Sequence, residues 1–453
     1  MKKLICFISL ILFTATCINA QNDNYPILTG QYLGQKPPGM TPEIFAPGFV
    51  STGMTEGSIT FTSDGKECYW TLHPSGFETI LMSKVKDGGW TKPEVAPFSG
   101  KYLEGFPSMH PDGSKLYFHS FRPTGDKSQY PARLNIWYVE RDGDTWSKPK
   151  IVESPVNGVG NSACPSVAKS GNLYFSKRYP DGDELIVRSK YINGKYQELE
   201  QLSEKVNTTN ANFHACIAPD EGYLVIPRDG RRDLIGANWN YYVTFRDEND
   251  NWSELKNLGY LINNSRTMIT PSLSSDGKYF FFEAKSPEVY FDSLDTKFNL
   301  VEFMEKEIQY PVNSGKDIYW ISTDYLKKIE SLKYTNIVYG LTETLKEEGI
   351  DALIALYRDL KKKYPDFYDF SEPMLNNLGY QLLGGGHDEN AIKVFQLNAE
   401  AFPDSWNVYD SLAEAYMKKG EIEKAIINYQ KSLELNPGND NAREQIEELK
   451  QKI

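Results

Sequence analysis

A turn ending in glycine, set between an apolar run and an aromatic-rich run, occurs five times in the first two-thirds of this chain. The copies are SITFTSDG at 58–65, FPSMHPDG at 106–113, CPSVAKSG at 164–171, FHACIAPDEG at 213–222 and TPSLSSDG at 270–277. Asp64, Asp112, Ser170, Asp220 and Asp276 mark the turns at intervals of 48 to 58 residues. Asp-Gly between apolar runs signals a tight hairpin, because glycine reaches left-handed backbone at no steric cost. A supersecondary unit repeated at this period predicts a radially repeated sheet.

Each of the first four copies is followed by a third alternating run, beginning at Ile80, Ile136, Leu185 and Tyr241, and by a fourth led by an aromatic residue, Trp90, Trp146, Tyr196 or Trp252. Four antiparallel strands per unit describe a propeller blade. The fifth copy has a third run at 317–322 and then no fourth. The segment PEIFAP at 42–47 resembles PEVAP at 93–97 and precedes the first hairpin, so it is the expected donor of the missing strand. Such closure would cover an edge that otherwise invites aggregation. The reading is a five-bladed propeller over 41–325, with a sixth, degenerate blade as the alternative.

After about residue 325 the alternation gives way to helical spacing. Leu375, Leu378, Gly379, Leu382, Ala391, Phe395 and Pro403 recur 34 residues later as Tyr409, Leu412, Ala413, Tyr416, Ala425, Tyr429 and Pro437. Small residues at that spacing let paired helices approach, and proline ends the second helix. A degenerate helix pair is expected upstream, near 337–347 and 349–365, and a capping helix over 440–453, giving an all-α repeat domain over 335–453 behind a linker at 326–334.

The ends and the charge narrow the setting. Lys2 and Lys3, an apolar run over 4–13 and small residues before Ala20 predict a cleaved secretory leader at 1–20, followed by a flexible segment at 21–40. Lipidation at Cys17 is the less favoured alternative, since Thr16 is a poor match to the small residue expected before it. The expected location is therefore the periplasm or the cell exterior, with no transmembrane anchor after cleavage. A formal charge of −12 argues against a nucleic-acid partner. Cys68, Cys164 and Cys216, an odd number, form no disulfide framework, although a Cys164 to Cys216 bridge stays open.

With Ser120 to Arg122 and Ser176 to Arg178 following their hairpins, residues 41–325 resemble the WD40-like β-propeller repeats typified by TolB. Residues 335–453 are similar to tetratricopeptide domains appended to secreted bacterial proteins. Both resemblances imply binding and neither implies a reaction, because these folds host many functions.

The candidate sites follow the repeats. His73, Arg122, Arg178, Arg228 and Lys285 each follow a second strand, so symmetry would place them in a ring able to receive an anionic ligand or a glycan; a capping role within each blade is the competing reading. Asn376, Asn407 and Lys418 would line a helical groove for a protein or peptide partner. His110, His119 and His214, with Glu104 or Asp183, are the residues a metal would need, and related pectate-degrading propeller lyases hold a metal in their channel. The histidine spacing is not a ligand motif. No catalytic residue, metal or cofactor is assigned. The expected function is a non-catalytic secreted scaffold; a glycan lyase or hydrolase working in the central channel is the alternative.

Overall fold

The computed structural model describes residues 28–73, 76–124, 133–208, 212–236, 239–264, 269–285 and 316–452. The leader expected at 1–20 lies outside them.

Five antiparallel sheets stand around a channel. Blade one consists of Glu56–Phe61, Glu67–Leu72, Thr79–Lys86 and Glu94–Val95. Blade two repeats the plan with Glu104–Met109, Lys115–Ser120, Asn135–Asp142 and Lys150–Ile151. Blade three uses Asn161–Val167, Leu173–Arg178, Glu184–Ser189 and Glu200–Gln201. Blade four uses Cys216–Ile217, Tyr223–Arg228, Asn240–Phe245 and Lys256–Asn257. The fourth strands are only two residues long. In blades one and two Pro93 and Pro149 remove a donor just before them, leaving the leading tryptophan in a separate small hairpin.

Blade five closes the ring as the sequence predicted. Its chain-continuous strands are Ser272–Leu273, Tyr279–Lys285 and Lys316–Ser322, and its outer strand is Glu43–Ile44, paired antiparallel with Glu43 opposite Trp320 and Ile44 opposite Tyr319. The Phe45 amide continues the ladder to the Ile318 carbonyl at 2.8 Å. Its ring is fully buried against Phe61, Phe281 and Trp320, with centroids 5.7, 5.3 and 5.0 Å away. The segment expected to be flexible is packed from residue 28 onward. Tyr32 inserts among Phe61, Tyr279 and Trp320, and the Trp90 indole donates to the Gly30 carbonyl at 2.8 Å.

The helical part begins at once. Helix α1 (Asp324–Ser331) leads to α2 (Ile337–Glu348) and α3 (Ile350–Lys363), the degenerate pair. Then come α4 (Glu372–Gly384), α5 (Asp388–Ala401), α6 (Trp406–Lys419), α7 (Ile422–Leu435) and the capping helix α8 (Asp440–Lys450). Gly379 shows why the repeat needs a small residue: a Cβ there would sit 2.5 Å from the Phe395 ring.

The stretch expected as a linker is instead an interface. Tyr325 is completely buried, donates its hydroxyl to the Leu258 carbonyl of blade four at 2.7 Å, and stacks on Phe367 at 5.4 Å. Lys256 of blade four caps the end of α1, donating to the Leu332 carbonyl at 2.9 Å, and Asn336 reaches back to the Asp233 and Leu234 carbonyls at 3.0 and 3.1 Å. One apolar core runs unbroken from Tyr241 and Phe282 through Tyr325 and Ile329 to Leu341 and beyond. The change of period after about residue 325 suggests a linker there. In fact α1 covers the outer edge of blade four with Tyr325, Leu326 and Ile329.

Two outcomes test this arrangement. Phe45→Ala should destabilise the propeller by about 3–5 kcal/mol, the usual cost of emptying a buried aromatic site, measured by chemical denaturation. Tyr325→Ala should lower the melting of strand and helix signals together in circular dichroism. A shift in the helical signal alone would show that the two parts unfold independently.

Candidate functional site

The first strands line the channel, and their geometry explains the recurring Pro-Ser. Each first strand of blades one to three carries a bulge, and its central residue, Ser58, Phe106 or Cys164, adopts left-handed backbone with φ of 44°, 56° and 52°. His214 does the same in blade four, at φ 57°. Such backbone costs a non-glycine residue about 1–2 kcal/mol, so neighbours must hold it. The amide of Phe106 donates to Thr71 at 2.9 Å, that of Cys164 to His119 Nδ1 at 3.4 Å, and that of His214 to Ser176 at 3.0 Å. Thr71, His119 and Ser176 occupy one repeat position on the preceding blade. In blade four that position is Pro227, and the Tyr241 hydroxyl substitutes by accepting from Thr270 at 3.2 Å. Two residues beyond the bulge, the hydroxyls of Thr60, Ser108 and Ser166 accept amides from the next blade at 3.0–3.1 Å. These inward side chains leave about 50 Å³ free in the channel, which is room for water and not for a sugar ring.

A second polar circuit was legible but missed. Ser51, Ser99, Asn157, Asn207 and Asn263 are separated by 48, 58, 50 and 56 residues, the same intervals that separate the turn residues. Each accepts the amide of one third-strand residue, Ile318, Ile80, Ile136, Ile186 or Tyr241, at 2.8–3.1 Å. The residue before each, Val50, Phe98, Val156, Val206 or Ile262, is buried.

The basic residues do not form one ring. Counted from the end of the aromatic run, Arg228 is offset by two residues, His73, Arg178 and Lys285 by three, and Arg122 by four. One residue of slip turns a strand side chain to the opposite face. The even offsets reach back to the preceding blade: Arg122 donates to the Phe98 carbonyl at 2.8 Å and Arg228 to the Val206 carbonyl at 2.7 Å. Blade three uses Lys177 for this purpose, donating to the Val156 carbonyl at 3.2 Å, and leaves Arg178 exposed. Burial lowers the Lys177 ammonium to about 8, helped by the charge of Arg133, and lowers Arg228 to about 9. Arg122 also pairs with Glu104, which is fully buried. Lys285 stands opposite Lys316 across two strands.

His73 belongs to a different group. Its Nδ1 lies 3.3 Å from one oxygen of Glu78, while His119 Nε2 lies 3.2 Å from the other. Burial opposes ionisation of Glu78, yet the hydrogen bonds from His119 and His73 outweigh it and hold the carboxyl well below its ordinary range. His110 sits at the far end beside Asp112, at 2.7 Å. Among the described residues no three His, Cys, Asp or Glu side chains are placed to hold a metal ion. Cys68, Cys164 and Cys216 are free and buried, so the Cys164 to Cys216 bridge is not formed.

Asn376, Asn407 and Lys418 lie along α4 and α6 without forming one cluster, Asn407 and Lys418 standing at opposite ends of α6. Asn407 donates to Glu372 at 2.8 Å; Lys418 caps α4 at the Leu383 carbonyl and lies 3.4 Å from Asp388; Asn376 is half-buried on α4. Tyr380, not singled out from sequence, bridges to Glu414 at 2.7 Å while staying 36% exposed.

Residues 406–439 match the tetratricopeptide repeat family model. No curated protein matches the chain. Among solved structures, TolB from Acinetobacter baumannii is 17% identical over 51% of this chain, with a TM-score of 0.36; the match spans 49% of that protein, about half its length. MamA is 20% identical over 25% of this chain and 63% of its own, with a TM-score of 0.19. The first tetratricopeptide domain of Spaghetti (RPAP3), solved with an HSP90 peptide, is 17% identical over 26% of this chain and 89% of its own, with a TM-score of 0.19.

The described chain is a five-bladed propeller joined to a helical array whose residues 406–439 match the tetratricopeptide repeat model. Arg122→Met should destabilise it by about 3–5 kcal/mol by leaving Glu104 buried without its cation. Adding Glu104→Gln should restore much of that loss in the same denaturation assay.

Proposed function

We propose that this chain is a non-catalytic binding scaffold that works outside the cytoplasm, in the bacterial periplasm or at the cell surface, and that its helical array recruits a peptide segment of a protein partner. The observation that carries this reading is where the two parts touch. The propeller docks on α1, the start of α2 and the segment around Phe367, while the face of α4 and α6 bearing Asn376, Tyr380, Asn407 and Lys418 keeps exposed side chains. A groove of amides, a hydroxyl and mixed charges suits a peptide backbone, whose own donors and acceptors need partners of both kinds.

The enzyme reading draws less support. A lyase or hydrolase site in the channel needs space for a glycan, and the bulged first strands fill it. Among the described residues no helix is long and apolar enough to cross a membrane.

The test uses the full-length protein as bait in an envelope fraction, beside Tyr380→Ala and Lys418→Glu variants. Both variants should keep the folded helical signal at the assay temperature and lose the captured partner. Unchanged capture by both would move the partner site away from this face.

A further inference from the structure

The interblade circuits account for most polar groups near the channel, but they do not account for a row of rings at its mouth. The row starts over the channel at Phe106, passes to His214 at 4.6 Å, to Phe213 at 4.9 Å and to Trp239 at 4.8 Å, so it extends outward over blade four. His73 stands on the other side of Phe106, with its centroid 6.3 Å away. Rings that serve only as core are buried, whereas Phe213, His214, Trp239 and His73 are all partly exposed.

Two polar groups along the row are fixed and accept hydrogen bonds. His214 donates Nδ1–H to the Ile269 carbonyl at 2.6 Å, which leaves Nε2 as an acceptor. Burial pushes this imidazole down to about 3, so it stays neutral at physiological pH. Glu78 adds carboxylate oxygens held by two imidazoles. The cations of blades two to four that face inward, Arg122, Lys177 and Arg228, are committed to carbonyls of neighbouring blades. Arg178 is exposed, with the carboxyl of Glu184 feeling its charge.

We infer that the mouth of the propeller binds a neutral oligosaccharide, laid across the exposed end of the ring row with its C–H faces on Trp239 and Phe213 and its hydroxyls donating to His214 Nε2 and Glu78. His214 Nε2 and Glu78 accept while the Trp239 indole N–H donates, so a ligand here must both supply and receive hydrogen bonds. Polyhydroxyl sugars do so at every ring. A uronate would bring its charge against Glu78 with the inward cations already engaged. The narrow channel keeps the ligand on the surface, in accord with binding and not cleavage. This site is separate from the helical groove, so either reading can fail without the other.

The test is titration calorimetry of the full chain with cellohexaose, maltohexaose, chitohexaose and hexagalacturonate. At least one neutral hexamer should bind saturably, and Trp239→Ala should weaken it by about tenfold or more, with Phe213→Leu acting in the same direction. Both variants should keep the parent melting curve, and Lys418→Glu should bind sugar normally. Three outcomes would each overturn the inference: no binding of any neutral hexamer, equal or tighter binding of hexagalacturonate, or undiminished binding in both ring variants that remain folded.

Discussion

The ring is held closed by two residues of strand and one aromatic ring. Glu43 and Ile44 supply the outer strand of a blade whose other strands lie more than two hundred residues away, and Phe45 fills the core beneath them. Without this pairing the strand at Lys316–Ser322 would present unpaired amides along one edge. That same strand leads directly into α1, so the closing contact also sets where the helical array leaves the propeller. Ser51 completes the junction by bonding both backbone groups of Ile318, each at 3.1 Å. The N-terminal segment, the fifth blade and the start of the helices are therefore one structural joint.

Around the rest of the ring, blades are joined by polar side chains more than a propeller's apolar cores would suggest. Bulged first strands turn amides sideways, and a hydroxyl or imidazole of the preceding blade receives them. Buried backbone groups need such partners, since an unpaired one costs about 1–3 kcal/mol. The cations at the ends of second strands perform a similar task for carbonyls. Residues that look chemically suggestive in sequence, including His119 and Arg228, are thereby occupied in holding the repeat. The two surfaces proposed above lie where the repeat is broken: in the ring row of blades two and four, and in the face of α4 and α6.

The direct docking of α1, the start of α2 and the segment around Phe367 on blade four gives the two candidate surfaces a fixed relation. A buried tyrosine with its hydroxyl bonded, a lysine capping a helix and an asparagine gripping two carbonyls restrain the array in different directions. A partner held on the helical face and a ligand at the propeller mouth would be presented together.

Hairpin turns, the closing strand and the 34-residue helical repeat were legible in the sequence, with five blades favoured over six, because they depend on local periodicity and on turn chemistry that glycine and proline enforce. Even the serine and asparagine clips could have been found, since they keep step with the turns residue for residue. What periodicity could not reveal was direction. Whether Arg178 or Lys177 reaches the preceding blade depends on a one-residue offset that reverses the side chain. That Glu78 joins His73 to His119 depends on a loop of one blade meeting a strand of the next. The burial of Tyr325 against Leu258, in a stretch where the change of period suggests a linker, is likewise a contact between distant parts of the chain. Such pairings are decided by how the blades and helices pack in three dimensions, where residues far apart in sequence compete for the same space and the same hydrogen-bonding groups.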